Sequence, residues 1–76
     1  MNAEQVAILI RTTTTSWTMQ APARGNPGET AQGVWKLIQS GVALHAGVTE
    51  IGGEVGESAW VLLNPEHVVH VVEPER

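Results

Sequence analysis

Apolar and β-branched residues dominate the beginning of the chain. Residues 6 to 20 read VAILIRTTTTSWTMQ without Gly or Pro, and stiff branched side chains pack well on a pleated strand. Because this run exceeds ordinary strand lengths, we predict a hairpin that turns within residues 13 to 16, although an Asn-Gly or Asp-Gly turn signal is missing. A continuous strand would instead alternate its side chains between two faces. One face would then hold Val6, Ile8 and Ile10, and the other Leu9, Trp17 and Met19.

A helix is predicted over residues 27 to 40. Asn26 is suited to cap its start, Pro27 to occupy the first helical position, and Glu29 to complete a capping box at the third. Apolar residues then recur at helical spacing, namely Ala31, Val34, Trp35 and Ile38. They form one apolar stripe, and Gly41 is well placed to end the helix in a left-handed conformation.

Short strands are predicted after the helix. VALHAGVTEI reads as a strand with Val42, Leu44, Ala46 and Val48 on one face. GGEVGES reads as a turn or flexible loop, and AWVLL as a short strand that Asn64-Pro65 ends. NPEH predicts one tight turn, and VVHVVE a final strand before Pro74.

These elements predict one small α+β domain over residues 1 to 76, in the order β(β)αβββ. The expected fold is an antiparallel or mixed sheet of four to five short strands, with the helix packed on one face through Trp35 and Ile38. VAILI, AWVLL and VVHVV are apolar on both faces, as strands buried on both sides are. Since one helix cannot cover two faces, we expect the second face or an exposed edge to meet another subunit or protein.

Composition favours self-association over nucleic-acid binding. A chain of 76 residues without cysteine removes only about 60% of its unfolded surface from water and has no disulfide to compensate. Eight glutamates and four scattered basic residues leave a net charge of -4, which disfavours phosphate binding. The apolar run Val6 to Ile10 is far shorter than the ~20 residues that cross a bilayer, and no basic segment of a signal peptide precedes it. We therefore expect a cytoplasmic protein with no membrane partner, and the charge disfavours a nucleic-acid partner.

The histidines are the candidate metal ligands. His67 and His70 form H-x-x-H, but a turn that runs into a strand would make their rings diverge. His45 lies on another predicted strand, and Glu66 is a further candidate ligand. Because Cys and Asp are missing, this ligand set is sparse. We predict no metal and no cofactor, and keep a small-molecule or metal-binding domain that uses these residues as the alternative.

No catalytic residue is predicted. No Ser or Thr lies in a recognisable nucleophile elbow. Glu50, Glu54 and Glu57 lie in a Gly-rich loop, which is typical of solvated carboxylates rather than of a general acid and base pair. We therefore predict that the protein is not an enzyme.

Trp17 is the candidate interface anchor. Tryptophan is enriched in binding hot spots, but a chain without Phe and Tyr must also use tryptophan for large-ring packing. Both roles stay open for Trp17, whereas Trp35 and Trp60 are predicted to lie in the core. The threonine run is either a polar strand edge or an edge that pairs with another chain. The predicted interface residues are Trp17, Thr13, Thr15 and Met19.

The segment LLNPEHVVHVVEP resembles the end of several small bacterial and phage proteins of unknown function. In outline it is also similar to the short flagellar FlbD-type proteins, in which a strand ends in a Leu-Asn-Pro turn before another apolar strand. The resemblance covers Leu62 to Glu73, and the capped helix and threonine run depart from the flagellar pattern. It implies a small accessory protein rather than a catalyst and transfers no site residues.

The leading hypothesis is a small non-catalytic interaction or accessory protein. We expect it to self-assemble through a sheet edge or face, and a second protein is a further candidate partner. The histidine-based binding domain is the alternative. A transcription regulator or nucleic-acid binder is the third reading, which the charge disfavours.

Overall fold

The described part of the chain forms a five-stranded antiparallel sheet and one helix. This computed structural model describes residues 4–26, 28–50 and 54–74. The elements are β1 (Gln5–Thr12), β2 (Ser16–Pro22), α1 (Glu29–Gln39), β3 (Leu44–Val48), β4 (Ala59–Val61) and β5 (Val68–Val72). Neighbouring strands follow the order β4-β3-β2-β1-β5. The prediction of a small α+β fold is confirmed.

The first two strands form the predicted hairpin. Their register pairs Ile10 with Trp17 and Ile8 with Met19, so the alternative of one continuous strand is wrong. The turn uses Thr12 in place of an Asn-Gly pair. Its hydroxyl donates to the carbonyl oxygen of Thr15 at 2.8 Å and accepts from the Thr15 N–H at 3.1 Å. A threonine side chain that bonds to nearby backbone in this way stabilises a turn without glycine.

We expect Thr12→Val to destabilise the protein by about 1–2 kcal/mol, because the change leaves partly buried backbone groups without their hydroxyl partner. Thr12 is buried, so water cannot readily replace that partner. The measurement is urea unfolding followed by circular dichroism. Thr13→Val is the matched control, since Thr13 is exposed, and an equal loss in both variants would contradict the role of the Thr12 hydroxyl.

The helix begins two residues later than predicted. Gly28 occupies the N-cap position with a φ of 80°, and it has no side chain to cap the helix. Asn26 instead donates its backbone N–H to the Glu29 carboxylate at 3.3 Å, and Pro27 lies outside the described residues. The predicted end of the helix is confirmed, because Gly41 has a φ of 75°. The N–H groups of Gly41 and Val42 donate to carbonyl oxygens of the last turn, as in a Schellman motif.

The hydrophobic core joins the helix to the first strand. Val34 and Ile38 belong to the same buried cluster as Val6, Ile8 and Ile10. Ala21 and Leu44 extend this cluster across β2 and β3. Because side chains alternate along a strand, Leu9 and Arg11 of β1 lie on the other face of the sheet, which we call the open face.

A turn of 3-10 helix at Pro65–His67 leads into β5. The side-chain oxygen of Asn64 accepts from the Glu66 N–H at 3.0 Å, and the His67 N–H donates to the Asn64 carbonyl at 2.9 Å. The predicted tight turn is therefore confirmed. The His67 carbonyl in turn accepts from the Thr13 N–H at 2.9 Å, which fixes the start of β5 beside the hairpin.

Candidate functional site

The most distinctive surface of the fold is the outer edge of β5. Among the described residues this strand has one neighbour in the sheet, β1, so its other side is an outer edge of the sheet. Exposed edges are usually protected by charged residues, proline or covering loops. The sequence of β5 is VVHVV, which has no Lys, Arg, Asp, Glu or Pro. The five residues of β5 therefore lack the charged side chains and proline that commonly protect an edge strand against pairing.

A shift in the register between β1 and β5 leaves one residue of β5 without a partner in β1. His70 lies opposite Arg11 and Val68 lies opposite Thr12, with the irregularity between these two pairs. Val69 is thus the extra residue of a bulge-like step, and its surface is 59% exposed. An apolar, β-branched side chain consequently projects from the edge strand.

A groove runs between β5 and α1. Its volume is about 370 Å³, and its walls are formed by Ala31, Gln32, Trp35, Val68, Val69, His70 and Val71. Trp35 is half-buried and packs against the core. The Glu73 carboxylate accepts a hydrogen bond from the Ala31 N–H at 3.0 Å, which ties the chain after β5 to the first turn of α1. An extended segment paired with β5 would lie alongside this apolar groove.

The open face carries an exposed aromatic side chain at the other edge of the sheet. Trp60 lies opposite His45 in the β3–β4 register, and the two ring centroids are 5.0 Å apart at an interplanar angle of 51°. Trp60 is 73% exposed, so the prediction that it lies in the core is wrong. The physical reason is its position, because β4 is a three-residue edge strand and Trp60 points to the face that α1 does not cover.

The connection between β3 and β4 folds back on the open face. The Gly56 N–H donates to the Val48 carbonyl at 2.8 Å, and the Glu50 N–H donates to the Glu54 carbonyl at 2.7 Å. The described part of the predicted GGEVGES loop is therefore hydrogen-bonded to Val48 of β3 and to Glu50, two residues after β3 ends. Residues 52 and 53 of the loop lie outside the described residues. Beside it is a depression of about 280 Å³, lined by Thr18, Met19, Gln20, His45, Val55 and Ser58.

The structure does not bring the three histidines together. His45 and His70 are separated by β2 and β1, so three strand spacings of ~4.8 Å put about 14 Å between them across the sheet, and the register adds a further offset along the strands. His67 and Glu66 lie in the 3-10 turn and are exposed. Within the described ranges, no group of three or more His, Cys, Asp or Glu side chains could hold a metal ion. The alternative based on these residues thus lacks a shared site.

The predicted interface residues occupy two different environments. Trp17 and Met19 are half-buried and pack against the core, whereas Thr13 is exposed and Thr15 half-buried at the hairpin turn. Trp17 pairs with Val48 of β3, so part of its surface serves the fold. Sequence reasoning did not identify Val69 or the groove at Trp35. The signal for the edge was available in VVHVV, a strand without charge that is flanked by Pro65 and Pro74.

No helix in the described ranges has the length and apolar character needed to cross a membrane. The resemblance of Leu62 to Glu73 to phage and flagellar proteins stays a prediction. No protein-family model, no curated protein and no solved structure matches the chain.

Proposed function

We propose that this protein is a small non-catalytic interaction protein that self-assembles by antiparallel pairing of β5 with β5 of a second copy. The observation that carries the proposal is the uncharged edge of β5. Its sequence, VVHVV, reads the same in both directions. A two-fold axis at His70 would therefore place valine opposite valine along the pair and His70 opposite its own copy. Two-fold symmetry is the commonest arrangement of homodimers.

Two contributions to the free energy of association favour this pairing. Main-chain hydrogen bonds across the new strand pair would satisfy the edge of β5, as in other strand-addition complexes. Apolar side chains of the second copy would also enter the groove that Trp35 and Val69 help to line. Cross-strand pairs of β-branched side chains each contribute roughly 0.2–1 kcal/mol. The combination of backbone pairing and apolar burial would give a defined dimer rather than nonspecific contact.

The size of the chain supports the same conclusion. A domain this small leaves about 40% of its unfolded surface exposed after folding, and no disulfide adds stability, because the sequence has no cysteine. Pairing through β5 would extend the sheet and cover apolar surface at Val69 and Trp35. Association would thereby supply burial that one copy lacks.

We expect Val69→Lys to convert the dimer to a monomer. The change places an ammonium group on the pairing edge, which is the device that natural edge strands use against association. Light scattering after size exclusion should give about twice the 8.1 kDa chain mass for the unmodified protein and a single chain mass for the variant. We expect the dissociation constant to rise at least about a hundredfold, or ~2.7 kcal/mol.

Leu62→Lys is the matched control. Leu62 is 71% exposed and follows β4 at the opposite edge, so the same change in charge there should leave the dimer intact. A single chain mass for the unmodified protein at every concentration would rule out self-assembly. Dissociation of both variants to the same extent would show that net charge, rather than the β5 edge, controls association. Trp17→Ala is less suitable as a test, because Trp17 packs against the core.

A further inference from the structure

We propose that the open face around Trp60 is a second docking surface, and that it binds an arginine-containing apolar segment of another protein. It lies at the β4 edge, whereas the proposed dimer uses β5, and these are opposite ends of the sheet. Its apolar part consists of Trp60, the His45 ring in contact with it, and Val55, which lines the same depression as His45. Tryptophan is one of the residue types enriched in binding hot spots, and 73% of the Trp60 surface is exposed.

The surroundings of this surface are acidic. Glu54 and Glu57 are exposed and directly precede Val55 and Ser58, both of which line the depression. Glu50 is also exposed, and its carboxylate lies close to Gly56 in the same connection. From residue 37 to residue 74 the sequence contains no Lys or Arg. The nearest arginine on the open face is Arg11 of β1, which β2 separates from β3.

The exposed Trp60 ring and the acidic residues near it together favour a partner that contains arginine. A guanidinium group can stack on the exposed face of the Trp60 indole, and it can also pair with carboxylates in a bidentate geometry. Lysine offers only a strongly hydrated point charge for these contacts. An apolar side chain beside the arginine would fill the depression next to His45. Nucleic acids and anionic lipid surfaces are disfavoured, because their phosphates would approach an exposed segment that carries three glutamates and no Lys or Arg.

The test uses the full chain and a fluorescently labelled peptide of alternating Arg and Leu. Fluorescence anisotropy at low ionic strength should show saturable binding that weakens as salt is added, since exposed ion pairs are screened. We expect Trp60→Ala to weaken binding at least about tenfold, as expected for loss of a hot-spot tryptophan. The double variant Glu54→Gln with Glu57→Gln should weaken it several-fold. Trp60 is largely exposed, so the alanine variant should retain the native circular dichroism spectrum.

Two controls separate this surface from the dimer edge. Leu37→Ala removes an exposed apolar side chain of α1 and should bind the peptide as the unmodified protein does. Val69→Lys should also bind it normally even where the dimer has dissociated. Unchanged affinity of Trp60→Ala, or equal binding of a Glu-Leu peptide, would overturn the proposal. Tighter binding of a labelled oligo-thymidine than of the Arg-Leu peptide would also overturn it, in favour of a nucleic-acid surface.

Discussion

Gly47→Ala is expected to destabilise the protein by about 1–3 kcal/mol, the usual cost of forcing extra atoms into a packed site. A Cβ atom at Gly47 would lie 2.5 Å from the Gly56 carbonyl oxygen and 2.7 Å from Cγ1 of Val55. The carbonyl belongs to the backbone, so it cannot swing aside as a long side chain could. The β3–β4 connection would have to move away from β3, and the hydrogen bond from the Gly56 N–H to the Val48 carbonyl would break.

Gly33→Ala is the matched control for this prediction and should have the opposite sign. A Cβ atom at Gly33 meets only the Arg24 guanidinium, at 3.7 Å, and alanine is favoured over glycine in a helix interior by about 0.5–1 kcal/mol. Urea unfolding of both variants would measure the two changes. If Gly47→Ala is as stable as the unmodified protein, the close approach of Gly56 to β3 is not a feature of the fold in solution. In Gly47→Ala, the displacement of the β3–β4 connection should also weaken binding of the Arg-Leu peptide, because Val55 of this connection lines the depression beside His45.

Local patterns were sufficient to predict most of the elements. The β-branched run predicted the first hairpin, apolar residues at helical spacing predicted α1, and Gly41 predicted its end. These features depend on residues that are close in sequence, and their physical causes act within a few residues. The 3-10 turn before β5 belongs to the same class, because Asn64 and Pro65 determine it through their own backbone and side-chain properties.

The start of the helix shows where local reasoning failed. Asn26 has the side chain of a good N-cap, but Gly28 occupies that position. The Thr30 hydroxyl accepts a hydrogen bond from the Arg24 N–H at 2.9 Å, so a residue of the first turn holds the preceding loop. This contact between a helix and the loop before it competes with the expected side-chain cap, and residue preferences alone do not rank the two arrangements.

The two candidate surfaces could not be predicted from the sequence, because they depend on the order of the strands in the sheet. Trp60 was predicted to be buried because a chain without Phe and Tyr must use tryptophan for large-ring packing. Its exposure follows instead from the edge position of β4 and from the face to which it points. The groove at Trp35 likewise exists because α1 lies beside β5, although more than thirty residues separate Trp35 from His70 in the sequence. Such neighbours are determined by long-range packing, which periodicity within one segment does not encode.

The second large effect is expected for Ile10→Ala, which should destabilise the fold by about 2–5 kcal/mol. Ile10 is fully buried, with 0% of its surface exposed. It lies between Trp17 of β2 and Val71 of β5 in the register of the sheet. A chain of this length has a total stability of about 4–11 kcal/mol, so the variant should lose a large part of that stability and unfold at a clearly lower temperature. Ile10→Val should cost only about 0.5–1.5 kcal/mol.

The same variant also tests whether folding and association are coupled. If β5 pairs with a second copy, association stabilises the folded state by mass action, so the unfolding temperature of Ile10→Ala should rise with protein concentration. In a double variant with Val69→Lys this concentration dependence should disappear, because the pairing edge is blocked. Differential scanning calorimetry over a wide concentration range would measure both effects. A concentration dependence that persists in the double variant would assign association to another surface, since β5 could then no longer be the strand through which the second copy stabilises the fold.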